Sequence, residues 1–129
     1  MKYQNEIIKQ LKVLATNVIY FPGVGWWYFK YGNYQMVYIP TNDILDMIRV
    51  CIPHFDDANH YESELLTTAI NETNREVKYV KVVTLGNGSI SINYDHKYDC
   101  ENELCSILQH MLKTLCFAAE YLKSKLSEK

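Results

Sequence analysis

Four side chains able to hold zinc, His96, Cys100, Cys105 and His110, fall in one stretch as H-x3-C-x4-C-x4-H. Zinc needs its ligands to converge on one tetrahedral centre, usually through short cysteine knuckles. If Cys105 and His110 share a helix, five positions turn them about 140° apart around its axis, so no metal is expected. Cys51 stands three residues before His54. A cysteine nucleophile needs a thiolate, a base and an oxyanion hole, and a strand followed by a loop gives these two side chains no reason to meet. Cys100 would be acidified only by a helix N-terminus. The pairs Asp56-Asp57 and Glu62/Glu64 are the carboxylates available for acid–base work. Such pairs need burial that drives their pKa values apart, whereas these read as solvated capping charges in a polar loop and a first helical turn. No phosphate-binding loop, dinucleotide fingerprint or nucleophile elbow is present. The chain is therefore expected to be no enzyme and to carry no cofactor.

The residues that stand out are aromatic: Trp26, Trp27, Tyr28, Phe29, Tyr31, Tyr34 and Tyr38. Along a strand, alternate side chains face opposite sides. Trp26, Tyr28 and Lys30 then share one face and Trp27, Phe29 and Tyr31 the other. A two-layer fold needs only one of these faces as core. Either helices cover both, or one aromatic face is left for a partner, where Tyr and Trp are enriched. Trp26, Trp27, Tyr28 and Tyr38 are the expected partner contacts. Base stacking would want cations beside the rings, and with no basic stripe in the sequence no nucleic acid is expected.

The elements that position these residues can be read from periodicity. Ile7, Leu11, Leu14 and Val18 repeat as a helical stripe, broken by Pro22, Gly23 and Gly25. Gly32-Asn33 joins two β-rich runs as a hairpin. Residues 44–52 are ambiguous: Thr41 or Asn42 would cap a short helix, while Ile44, Ile48, Val50 and Ile52 line one face of a strand, and Pro53 favours the strand. Residues 53–57 read as a loop. Asn59 with Glu62 has the form of a capping box, opening a helix that buries Leu65, Leu66, Ala69, Ile70 and Thr73 and ends near Asn74. Gly86-Asn87-Gly88 joins a second hairpin of residues 77–85 and 89–94. The last helix, residues 101–126, carries Leu104, Leu108, Met111, Leu115, Ala118 and Leu122 at alternating spacings of four and three, widened by Ile107, Leu112 and Phe117. The order is α-β-β-β-α-β-β-α, an α+β class with an antiparallel sheet packed with helices, in one domain over residues 1–129.

Composition limits the function classes. Of 129 residues 48% are apolar and the net charge is −2, which excludes disorder. Eleven tyrosines, apolar bodies with polar tips, hold the mean hydropathy at −0.22. Residues 1–40 carry a net +3, residues 41–74 a net −6 and residues 75–129 a net +1. The acidic stretch reads as a solvated loop and helix start. The longest uncharged run, residues 13–29, contains Asn17, Pro22, Gly23 and Gly25, and so is unsuited to spanning a bilayer. Lys2, Glu6, Lys9 and Lys12 leave no room for a signal peptide. A cytoplasmic protein with its four cysteines as buried free thiols is expected.

From Leu65 onward there is a family resemblance. Ala69-Ile70-Asn71-Glu72-Thr73-Asn74 closes a helix, Lys78 to Val83 form a strand, Gly86-Asn87-Gly88 turns into Ser89 to Asp95, and a long apolar helix follows. This resembles the bacterial YbjN-type family of sensory transduction regulators and, more distantly, the class I type III secretion chaperones that share its fold. Asn71 and Asn74 match that family's helix-end asparagines. The resemblance implies a non-enzymatic protein- or peptide-binding module acting as a homodimer. A small-ligand-binding sensory domain, with a pocket between sheet and closing helix, is the alternative expectation.

Overall fold

The computed structural model describes residues 4–41, 47–98 and 103–127. Its elements run α1 (Gln4–Leu14), β1 (Thr16–Phe21), β2 (Trp26–Tyr31), β3 (Tyr34–Ile39), β4 (Met47–Asp57), a 3-10 turn (Ala58–His60), α2 (Ser63–Glu76), β5 (Val80–Thr84), β6 (Ser89–Lys97) and α3 (Leu104–Leu126). The fold is α+β: one six-stranded sheet in the order β1-β2-β3-β4-β6-β5, antiparallel at every pairing, with three helices packed on it.

The expected order of elements is present, with one strand more at the front. The helical stripe stops at Leu14, where the Ala15 amide closes the last turn onto Leu11. Val18 is not its continuation. Asn17 takes a positive φ of 55°, which asparagine tolerates, and the ladder shifts register there. The β-branched and aromatic run Val18-Ile19-Tyr20-Phe21 then pairs with β2, Ile19 opposite Tyr28 and Phe21 opposite Trp26. The spacing of four from Leu14 to Val18 was coincidence, and β propensity decides the segment.

The strand reading of the ambiguous segment holds over Met47–Ile52, while residues 42–46 lie outside the described residues. The strand also runs on through Asp57, where a loop was expected. Pro53 interrupts no regular ladder, because it falls in the register shift between Ile52 and Asp56. The capping box does not form. Asn59 sits in the 3-10 turn, its amide donating to the Asp57 carboxylate at 2.9 Å, and α2 starts at Ser63 with no side-chain cap. Both hairpins are present, the second with a shorter first arm, Val80–Thr84, because residues 77–79 turn with Tyr79 at a positive φ of 74°, and a longer second arm, Ser89–Lys97. Gly32 at φ 60° closes Tyr31 against Tyr34. Gly88 at φ 90° lets the Leu85 amide reach the Ser89 carbonyl at 2.8 Å. Both glycines occupy a region that a side chain would strain.

The core lies between the helices and one face of the sheet. Ile7 and Leu11 of α1, Leu66 and Ala69 of α2, and the α3 seam from Leu104 to Leu126 pack on Phe29, Met36, Tyr38, Val50, Ile52, Ile92 and Tyr94. Burying each such aliphatic side chain contributes roughly 1.5–3 kcal/mol. Phe117, expected to widen the seam, is instead 61% exposed, and Cys105 is exposed as well. No helix among the described residues is long and apolar enough to cross a membrane.

Candidate functional site

Register divides the aromatic hairpin cleanly. Phe29 is fully buried against the helices, with Trp27 and Tyr31 packed beside it. Tyr38, opposite both Trp27 and Val50, is 0% exposed. Among the described residues its hydroxyl has no hydrogen-bond partner, and burial pushes its pKa above the ordinary tyrosine range. Tyr38 is thus a core residue, and the expectation that it meets a partner is corrected. Trp27 is largely committed too: its indole Nε1 is buried, and the Tyr20 ring covers it at 4.9 Å between centroids.

Trp26 and Tyr28 lie on the opposite face, which none of the described helices covers. Beside them register places Ile19, Phe21, Val37, Ile39 and Cys51. Val37 at 0% and Cys51 at 5% exposure are buried, yet neither belongs to the helix-side core. Phe21 packs on Tyr28 at 4.6 Å and Trp26 on Tyr28 at 6.3 Å between centroids. A trough of about 300 Å³ runs over this floor, with Trp26 and Ile39 at one side, Arg49 and Asp95 along it, and Pro53, Leu85 and Asn93 at the other. Arg49 and Asp95 are cross-strand partners and form a two-point fork, Nε to Oδ1 at 2.8 Å and Nη2 to Oδ2 at 3.2 Å. Ser91 donates to Asn93 at 2.7 Å.

The residues considered for chemistry are dispersed. Burial pushes the Cys51 thiol up to about 12, with Asp95 adding to the shift and Arg49 opposing it; that is a poor nucleophile. His54 Nδ1 is 2.8 Å from Ser89 Oγ. The Asp56 carboxylate is used structurally, accepting from the Tyr61 hydroxyl, from the Asp57 amide at 2.7 Å and from His60 Nδ1 at 2.7 Å. Burial would raise its pKa, but those three hydrogen bonds together hold it below the ordinary carboxylate value, and Tyr61 is pushed up to about 12, first by its bond to Asp56. His96 and His110 both rest on the Tyr94 ring, at 6.3 and 6.0 Å, but no group of three or more candidate metal ligands exists among the described residues. Cys100 lies outside them.

The sheet's two edges differ. At β5, Asn74 accepts from the Val82 amide at 2.7 Å and donates to the Val82 carbonyl at 3.1 Å, so a side chain occupies both backbone groups of the strand's central residue. At β1 no element of the described chain pairs with the outer side. That strand carries no charge and leaves Ile19, Tyr20 and Phe21 exposed at 54%, 44% and 48%. Sequence reasoning missed β1 altogether, because Val18 sat in register with a helix. It also missed Arg49, whose position two residues before Cys51 was the available signal.

No protein-family model and no curated protein matches the chain. Among solved structures it is similar to an uncharacterized protein from Methanothermobacter thermautotrophicus, with 11% sequence identity over 96% of this chain and 99% of that one, at a TM-score of 0.59. At that identity the likeness concerns the fold alone.

Proposed function

We propose that this chain is a non-enzymatic protein- or peptide-binding module of the cytoplasm, resembling YbjN-type and secretion-chaperone-like proteins, and that it acts as a homodimer. The observation that carries the reading is the pairing of an unguarded edge strand with a helix-free aromatic face. An uncharged edge with free backbone groups and apolar side chains is a template for strand addition. Antiparallel pairing of β1 with β1 of a second copy brings no like charges together. Trp26, Tyr28 and Phe21 lie beside that edge, so a continuous apolar surface would extend across the two-fold axis. The trough volume of about 300 Å³ is at the lower limit for small-ligand sites, and it suits a peptide side chain better than a metabolite.

The test is Ile19→Lys, a charge placed on the open edge. Light scattering should give a dimer for the wild type and a monomer for the variant, with urea stability unchanged within about 0.5 kcal/mol. A wild type that stays monomeric at high concentration would sink the homodimer reading.

A further inference from the structure

We infer that the helix-free face of the sheet takes an acidic peptide with apolar anchors; this rests on the peptide-binding reading above and names its ligand. Register gathers onto that face four cations from four different strands, Lys30 of β2, Arg49 of β4, Lys81 of β5 and Lys97 of β6, against Asp57 and Asp95. Among the described residues the face is thus net positive, on a chain whose net charge is −2. Both of its acids are engaged: Asp95 holds the Arg49 fork, and Asp57 caps the Asn59 amide. The three lysines are exposed, and none has an ion pair among the described residues. The other described acids, Glu6, Asp56, Glu62, Glu64, Glu72, Glu76, Glu103 and Glu120, lie on the helices, at their ends or at the β4–α2 junction.

Beside Lys30, towards the β1 edge, lies the apolar ground of Phe21, Trp26, Tyr28 and Ile39, and the trough runs from it towards Lys81 and Lys97. Strand spacing and rise put the three lysines about 13–25 Å apart. About eight extended residues reach that far, with aromatic or aliphatic side chains on the apolar ground and carboxylates at the rim, where opposite charge steers and selects. A nucleic-acid strand fits less well. It brings a charge about every 3.4 Å along a duplex strand and needs a track of cations with free ring faces. Here the cations stand at separate corners, and Phe21, Tyr28 and Trp26 pack on one another.

Three ten-residue synthetic peptides separate the possibilities, each with two phenylalanines set among glutamates, lysines or serines. Binding is read from the emission of the two tryptophans, both of which lie on β2. The glutamate peptide should bind tightest and weaken with salt. Lys30→Glu/Lys81→Glu/Lys97→Glu should weaken it about tenfold or more and turn the preference to the lysine peptide. The milder Lys→Gln triple, checked for an unchanged urea midpoint, should lie between. If all three peptides bind alike, the charge inference falls and the peptide-binding reading stands. If none binds, both fall. If an oligothymidylate displaces the glutamate peptide and is itself lost in the triple variant, a nucleic acid is the ligand and the inference is overturned.

Discussion

The two edges of this sheet meet the same physical problem in opposite ways. An edge strand presents unsatisfied amides and carbonyls that invite another chain. At β5 the invitation is withdrawn: the Asn74 side chain mimics a backbone partner and engages both groups of Val82. The 3-10 turn and link that lead into the helix supplying Asn74 are held to β4 through the bonds of Asp56 with His60 and Tyr61. At β1 the usual devices are missing. The strand has no lysine, and among the described residues it has no covering helix and no side-chain plug, only an irregular start at Asn17 and Pro22 after its end. It is held to the sheet from one side, by its ladder to β2 and by two ring contacts, Tyr20 on Trp27 and Phe21 on Tyr28. The lesson is that blocking an edge was available to this fold and was used at one side only. The open edge lies next to the aromatic face, and on the proposed reading this adjacency makes the edge a functional feature.

Breaking the attachment of β1 gives the largest expected effect. Trp27→Ala removes the ring that Tyr20 rests on along with its contact to the core, and should cost about 3 kcal/mol in urea unfolding. The β1 amides should lose hydrogen-exchange protection first. If β1 stays protected, the rings do not hold it. Next is the plug. Asn74→Ala leaves the Val82 amide and carbonyl without their partner and should cost about 1–3 kcal/mol. It should also make the Ile19→Lys protein, otherwise a monomer, associate through β5. If the double variant stays monomeric, the plug is not what silences that edge. The smallest effect concerns the anchor of α2. The folded pKa of Asp56 is depressed, so its contribution to stability is present above the unfolded carboxylate value of about 3.9 and is lost as pH falls through the lower folded value. Asp56→Asn should flatten that acid limb of the stability–pH curve, and an unchanged limb would show that the cluster anchors nothing.

Much of the fold was legible because its signals are local. The α3 seam, the Gly32-Asn33 and Gly86-Asn87-Gly88 turns and the alternation of Ile90, Ile92 and Tyr94 each lie within one element. Misreadings came where two local rules competed. Val18 satisfied a helical spacing while its neighbours were β formers, Asn59 and Glu62 had capping-box spacing in a stretch that turned as 3-10, and Pro53 looked like a terminator but fell in a bulge. The candidate site was half legible. Trp26 and Tyr28 could be picked out as aromatic neighbours on one face. Tyr38 could not be told apart from them, because aromatic type does not say which side the helices take.

By itself the sequence determined the class of the fold and which side chains travel together, since a strand's period of two and a helix's of 3.6 depend on backbone geometry alone. It also determined that rings would crowd the first hairpin. Only the tertiary structure decided that the described helices all lie on one side, which makes Tyr38 core and Trp26 surface. It alone brought Lys30, Arg49, Lys81 and Lys97 onto one face, and set Asn74 against Val82 while leaving β1 open. Those outcomes depend on the strand order β1-β2-β3-β4-β6-β5. That order is set by hydrogen-bond pairing and burial between segments far apart in the chain, which no local pattern encodes.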